Sequence, residues 1–431
     1  MRVLTAKEFE EHVLPKMLNR AKFGKSTVFR EVKKIVKDVR EKGDCAVIDY
    51  TRKFDCVDLN KERLRVSDEE IKNAYRMLKE EEVNALKKAA ENIRIFHEEQ
   101  VRHRKWSTST LEGVRVGQII QPLSSVGIYT PGGKAAYPTS ALMCTIPAKI
   151  AGVERIVVCS PPRSRGEINP AVLVAANVGG ANEIYRVGGA QAVAALAYGT
   201  ETIPKVEKIV GPGNIYVTAA KLLVGMEVAV DLPAGPTELL VIADEAADPH
   251  VVACDIIAQA EHDAMALTML LTTSKSLAYK TLKEVQQQLK GLHEQSLALK
   301  SIKTNCFLII VEDLEKAIRY TNLIAPEHVE ILTKKPRDLL WKLKNAGAVF
   351  VGNYSAVVFG DYSAGINHVL PTGGYARAFS GLSVWSFVKT INFLECDEKG
   401  YQNLKDITVT LAKLEDLDGH VKSVLVRESY K

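Results

Sequence analysis

From Gly113 onward, short apolar runs ending in turn residues alternate with helical segments, and this alternation constrains the fold more than any other feature of the chain. VRVGQIIQP and VGIYTP open the series. Arg155–Cys159 reads as a strand, followed by a proline-rich turn and the helix PAVLVAANVGG. Ile184–Val187 is the next strand and leads into GGAQAVAALAYG, a loop entering a helix. IVGPGN, the helix beginning at IYVTAAKLL and the strand EVAVDLP continue the pattern. A second stretch repeats it: LLVIADE as a strand, His250 to Leu267 as mostly helix, then FLIIVED, EKAIRYTNLIAPEHVEIL and AVFVG. Strands separated by helices predict largely parallel sheets covered on both faces.

The flanks differ. VFREVKKIVKDV and VNALKKAAENIRIFHEE carry apolar residues at helical spacing, and Ser67-Asp68-Glu69-Glu70 fits a capping box. After about Gly381 the pattern turns helical again, in TVTLAKLEDLDGHVKSVL. At 431 residues the chain exceeds one ordinary core, so several domains are expected. With 57 basic and 52 acidic residues, a net charge of +5 and no long basic run, it does not read as a nucleic-acid binder. The opening MRVLTAKEFEEHVLPK lacks the apolar core of a signal peptide, and runs such as Ala192–Leu196 fall far short of a membrane span. A cytoplasmic location, with no membrane partner, is the expectation. The seven cysteines, Cys45, Cys56, Cys144, Cys159, Cys254, Cys306 and Cys396, include no C-x-x-C pair and read as small buried hydrophobes.

Glycines cluster where strands should end: GIYTPGGKAAYPTS (127–140), VGGAQA (187–192) and VGPGN (210–214). The carboxyl ends of parallel strands are where open α/β sheets bind ligands. Glycine lets the backbone approach a phosphate, and a following helix N-terminus offers N–H donors. No G-x-G-x-x-G stands at a strand-to-helix turn, and each loop alone also reads as a tight turn. Together, carrying Tyr129, Gln191 and Asn214, they form a candidate dinucleotide site.

A second group could bind a cation. Gln259 and His262 lie three apart in IAQAEHDA, Asp361 and His368 seven apart in FGDYSAGINHVLP, and Glu415 and His420 five apart in the tail. Imidazole and carboxylate suit zinc, yet no H-E-x-x-H or cysteine pair fixes a spacing, so ordinary hydrogen-bonded histidines stay open. Glu327 and His328 follow Pro326, which would hold both at a loop edge, where a histidine can act as a general base. His12, His97, His103, His250 and His293 sit in charged helices or loops and read as surface residues.

In order and spacing, GIYTPGG, VGGAQA, VGPGN, DLPAGPTE, QAEHD, APEHVEI, GDYSAGINHVLPT and the final Glu415-x-x-x-x-His420 resemble the histidinol dehydrogenases, over nearly the whole chain. The resemblance implies two Rossmann-like parallel-sheet domains with helical N-terminal and C-terminal extensions, in an intertwined homodimer with shared active sites. It implies a division into an N-terminal extension (1–25), a catalytic and metal-holding domain (26–128 with 236–380), an NAD-binding domain (129–235) and a segment exchanged with the partner (381–431). It implies a zinc-dependent four-electron oxidation of L-histidinol to L-histidine through L-histidinal, using two NAD+, in the last steps of histidine biosynthesis. Gln259, His262, Asp361 and His420 match the family's zinc ligands, and Glu327 and His328 its acid/base pair. Tyr129, Gln191 and Asn214 match NAD contacts. Thr237, Gln259, His262, His328, Asp361, Glu415 and His420 match substrate contacts, with His368 beside them. The family usually has serine where this chain has Thr237. Two other readings are an oxidation of another alcohol, such as a sulfonated diol, and a zinc hydrolase in which Glu327 activates water without a nicotinamide. A third is a binding protein without catalysis.

Overall fold

Strands such as ELLVIA and LTMLLT are mostly apolar and buried at every position, the signature of strands covered on two sides. The structure is a computed structural model that describes residues 1–20, 27–101, 105–132, 136–163, 165–231, 235–290, 293 and 296–429. Gly133 of GIYTPGG, residues 232–234 of DLPAGPTE, His103 and the expected boundary at residue 25 lie outside the described residues. The strands are β1 (Arg2–Thr5), β2 (Lys105–Leu111), β3 (Val114–Pro122), β4 (Ser125–Tyr129), β5 (Arg155–Ser160), β6 (Glu183–Arg186) and β7 (Lys208–Val210). They continue as β8 (Ala229–Val230), β9 (Glu238–Ala243), β10 (Leu267–Thr272), β11 (Cys306–Ile310), β12 (His328–Leu332), β13 (Ala348–Val351) and β14 (Val388–Cys396).

Two sheets are wholly parallel. One runs β6-β5-β4-β7-β8 and the other β1-β11-β10-β9-β12-β13. Counted from β4 and from β9, both show the order 3-2-1-4-5 of doubly wound sheets, with β1 added beside β11 in the second. The α/β class with two Rossmann-like sheets therefore holds. In each sheet the order reverses between the first and fourth strands, β4/β7 and β9/β12. Apolar residues fill both faces of the β9–β13 sheet. The helices Thr27–Lys42 and Asp44–Asp55 share a core with the β4–β8 sheet.

The chain divides into two compact units, residues 1–100 with 124–387, and 101–123 with 388–431. The second unit holds the antiparallel ribbon β14-β3-β2 and the helices Glu398–Leu414 and Asp418–Leu425. Several expectations need correction. The tail is not wholly helical, since the nine-residue β14 pairs along all of β3. Its Ile391 and Leu394 are exposed, and their spacing of three is as compatible with a helix as with a strand, so local pattern does not reveal β14. VRVGQIIQP is a strand, but it belongs to this ribbon and not to a parallel sheet. EVAVDLP contributes only the two-residue β8. The N-terminal extension is not purely helical, because β1 joins the edge of the larger sheet. The helix expected over His250 to Leu267 stops at Ala260, and Leu267 opens the strand β10. His97 is fully buried, its Nδ1 bonded to the Ile93 carbonyl, on the inner face of the helix Glu80–Glu98. Cys45, Cys56, Cys254 and Cys396 are exposed, whereas Cys144, Cys159 and Cys306 are buried. Among the described residues no helix is long and apolar enough to cross a membrane.

One polar pair lies inside this frame. Glu330 on β12 is buried, and it meets Asp255 of the helix Pro249–Ala260. Burial first, and then the neighbouring Asp255 carboxyl, push the Glu330 carboxyl well above the usual range, so Glu330 keeps the pair's proton. Unfolding releases Glu330 to its ordinary value of about 4.3. The folded state therefore binds the extra proton, and stability falls as pH climbs above that value. Glu330→Gln keeps a donor and removes this titration. In urea unfolding at a series of pH values, the variant is expected to gain on the native chain progressively above pH about 5. A constant difference across the range would contradict the shared proton.

Candidate active site

Glu327 stands immediately before β12 and His328 is its first residue. The pair stands at the loop edge expected of it, and both residues are buried there: Glu327 is 7% exposed and His328 3%. Their neighbour across the reversal point is β9, where Leu239 registers with His328. Two donors from that segment converge on one Glu327 oxygen. The Thr237 hydroxyl donates to Oε2 at 2.5 Å and the Glu238 amide at 2.9 Å. Burial still dominates and pushes the Glu327 carboxyl up to about 8, with these two bonds opposing it.

His328 is held by its inner nitrogen. Nδ1 lies 3.1 Å from the Glu238 carbonyl, which can only accept, so this nitrogen carries the proton. Nε2 is left with its lone pair and faces Asp361 Oδ1 at 3.9 Å. Burial, opposed by Asp361, pushes the imidazole below its ordinary value, which keeps it neutral and basic near pH 7. The Gln259 amide nitrogen donates to the Thr237 hydroxyl and lies 3.4 Å from His328 Nδ1.

Asp361 and His368 close another side. Asp361 sits in the short helix Val357–Tyr362, and its backbone carbonyl bonds His368 Nδ1 at 2.9 Å. His368 Nε2 bonds the Ser140 hydroxyl at 2.9 Å. Ser140 belongs to the helix Pro138–Ala151, which follows β4, so the β4–β8 sheet reaches the site through this bond. Burial lowers the His368 value, with smaller effects from Asp361, His328 and His262. His262 lies just past the helix end at Ala260 and is exposed, with its amide on the Gln259 carbonyl. Thus Thr237, Gln259, His262, Glu327, His328, Asp361 and His368 converge in the first unit. Glu415, which ends the helix Glu398–Leu414, and His420, in Asp418–Leu425, are exposed residues of the second unit.

The residues of the glycine loops lie at the carboxyl ends of the other sheet. Tyr129 ends β4, its hydroxyl accepting from the Gly189 amide at 3.3 Å, and burial pushes its phenol up to about 12. Gln191 is buried in the first turn of the helix Gly189–Tyr198. Asn214 caps the helix Ile215–Val224, its Oδ1 accepting from the Tyr216 and Val217 amides. Buried Gln191 Oε1, Thr130 Oγ1 and Ser160 Oγ have no protein partner. Gly132 and Gly189 leave open the space beside Ser160 and Gln191 that a Cβ would occupy. Glycine-lined room beside orphaned polar atoms fits a hydroxyl-rich, phosphate-bearing ligand. Sequence reasoning missed Ser140, Glu238, Thr130 and Ser160. Thr130 lies within GIYTPGG and Ser140 ends the glycine-rich stretch 127–140, the signal that pointed at them.

Among the described residues, no three His, Cys, Asp or Glu side chains are close enough to form a metal cluster by themselves. Gln259 and Asp361 both border His328, and His262 lies near His368, so the surroundings offer an amide, a carboxylate and an imidazole. That nitrogen and oxygen set suits a borderline divalent cation and needs a further ligand.

A buried carboxyl able to gain or lose a proton near neutrality, beside a neutral imidazole, on two doubly wound sheets, defines an acid–base enzyme of the α/β class. The family model described as "Histidinol dehydrogenase" matches residues 18–428. A histidinol dehydrogenase of Caldanaerobacter subterraneus is 50% identical over 421 residues, covering 98% of this chain and 97% of that protein. One from Methanocaldococcus jannaschii is 46% identical, covering 97% and 96%. The crystal structure of histidinol dehydrogenase from Elizabethkingia anophelis superposes with a TM-score of 0.92 at 40% identity, covering 99% of this chain and 97% of that one. The chain belongs to the histidinol dehydrogenase family and is an oxidoreductase.

Thr237 is the hinge of the proton network. Thr237→Val removes the hydroxyl but keeps the shape, leaving Glu327 with one donor fewer; the carboxyl value should rise further and the pH–rate profile move to higher pH. Thr237→Ser keeps the bond and should leave the profile in place. Profiles of the two variants that coincide would separate Thr237 from the titration.

Proposed function

We propose that this chain oxidises L-histidinol to L-histidine through L-histidinal, with NAD as hydride acceptor and zinc as resident metal, in histidine biosynthesis. The observation that carries this reading is the His328 environment: Nδ1 fixed on the Glu238 carbonyl and Nε2 free beside Asp361. NAD would lie along Tyr129, Gln191 and Asn214, where the orphaned polar atoms and the glycine gaps are, and it supplies the hydride acceptor. Zinc would be held by Gln259, His262, Asp361 and His420, and it supplies a Lewis-acid anchor for the substrate's nitrogens.

The chain's own groups would do the proton work. His328 Nε2 takes the alcohol proton as hydride leaves the carbon. Asp361 stabilises the imidazolium that results, being the nearest negative charge to Nε2. Glu327, poised near neutrality, takes a proton from water as it adds to the aldehyde. His328, having passed the first proton to solvent, takes a second from the hydrate's hydroxyl as the second hydride leaves. Thr237, Gln259, His262, His328, Asp361, His368, Glu415 and His420 would line the substrate. His262, His368 and Asp361 would contribute position rather than proton transfer.

The residue grouping expected of the family gives the β4–β8 half the cofactor and the β9–β13 half the chemistry. The tail would be exchanged within a homodimer, so that His420 completes a partner's site. The second unit supports this, because Ile391, Leu394, Leu411 and Leu414 are exposed in the single chain, more apolar surface than a lone ribbon and helix pair should leave bare. A cytoplasmic location accords with a biosynthetic enzyme.

The decisive assay follows NADH absorbance on adding histidinol, with and without a chelator. Turnover should appear with NAD and fall when metal is stripped. His328→Asn should lower kcat by about 10²–10⁴-fold while bound zinc is unchanged. His262→Ala should lose the metal instead. A His328→Asn enzyme running near the native rate would remove His328 as the base.

A further inference from the structure

The VGPGN loop is clamped by an ion pair that lies outside the acid–base network. Lys221 lies in the helix Ile215–Val224, directly after Asn214, and Asp231 follows β8. Their side chains are 6% and 4% exposed and meet at 2.6 Å. Gly211 is held at both of its backbone groups. Its N–H donates to Asp231 Oδ2 at 2.7 Å, and its carbonyl accepts from the Lys221 ammonium. Helical side chains lean toward the N-terminus, which lets Lys221 reach back to the loop before its own helix.

Gly211 is also the point where the loop crosses the end of β4. It holds φ +115°, and a Cβ there would overlap the Tyr129 carbonyl oxygen. Three residues on, Asn214 caps the helix that carries Lys221. The clamp therefore fixes Tyr129 on one side and Asn214 on the other through a single glycine. A buried ion pair is a poor device for stability, because desolvation offsets most of the attraction. Holding one geometry is the use such a pair serves better here.

We infer that Lys221 and Asp231 are positioning residues for the dinucleotide: together they lock Gly211 so that Tyr129 and Asn214 stand at the spacing the cofactor requires. The inference rests on the reading of this half as the NAD site. It makes the pair a determinant of cofactor affinity and not of the chemical step.

Three variants test it: Lys221→Met, Asp231→Asn, and the double variant Lys221→Met/Asp231→Leu, which leaves no unpaired buried charge. NADH binding is measured by fluorescence titration, the melting temperature by calorimetry, and KM for NAD+ and for histidinol separately from kcat. The double variant should keep its melting temperature within a few degrees, since apolar replacement of both charges is close to neutral. It should nevertheless bind NADH about tenfold more weakly, the loss of roughly one net hydrogen bond of preorganisation. KM for NAD+ should rise in step, with kcat at saturating NAD+ and KM for histidinol unchanged. Native NADH affinity in a stable double variant would overturn the inference. If that variant does not fold, Asp231→Asn, which preserves size, carries the same comparison, and native affinity there overturns it equally. Native enzyme that fails to bind NADH would instead remove the cofactor reading, and the clamp's role with it.

Discussion

Two hydrogen bonds onto a single oxygen of Glu327, from the Thr237 hydroxyl and the Glu238 amide, hold the rest of the site in register. They join segments 90 residues apart, on strands that neighbour each other only because the sheet order reverses between β9 and β12. The same short stretch supplies the carbonyl that fixes His328. Glu238 is itself anchored: its carboxylate takes a bidentate bond from Arg20, at 2.5 and 2.8 Å, and the Gly373 amide at 3.1 Å. Charge-assisted fork geometry of this kind resists rotation, so the backbone of Glu238 cannot drift without breaking several bonds together. The acid and the base are thus oriented by one segment, and a shift in it would move both.

The two sheets use opposite ends. In the β4–β8 sheet the candidate cofactor residues lie at the carboxyl ends, as doubly wound sheets generally arrange. In the β9–β13 sheet Thr237 and Glu327 precede their strands, so the acid–base pair sits at the amino ends. The bond between Ser140 and His368 brings these two edges to one place. A reaction that needs a hydride acceptor at a carbon and a proton acceptor at the hydroxyl it bears gains from such a meeting, since each half can be rigid in its own right.

Much of this was legible beforehand. Uninterrupted Val, Ile and Leu in β9 and β5 declare two-sided burial, and their alternation with helices declares parallel pairing. The order and spacing of the motifs marked Thr237, Gln259, His262, Glu327, His328, Asp361 and His368, which do converge. What stayed hidden was of three kinds. β14 was concealed because the apolar residues of VKTINFLEC, Val388, Ile391, Phe393, Leu394 and Cys396, follow no strict alternation. The burial of His97 and the exposure of Cys254 depend on which side of a helix meets another element, and a local window does not carry that. Glu238 and Ser140 act through a carbonyl and a hydroxyl, groups with no compositional signature.

The electrostatics add a constraint that residue types alone do not. Burial drives Glu327 toward its neutral acid and both His328 and His368 toward their neutral bases. Each shift is opposed by a neighbour that favours charge: Thr237 for Glu327, Asp361 for the two imidazoles. A site balanced this way holds its acid and both imidazoles in their uncharged forms, with Asp361 beside the imidazoles to favour protonation. Asp361 faces the free Nε2 of His328 and is the neighbour that favours the imidazolium, so it offsets the cost of placing a proton on a base that burial keeps neutral.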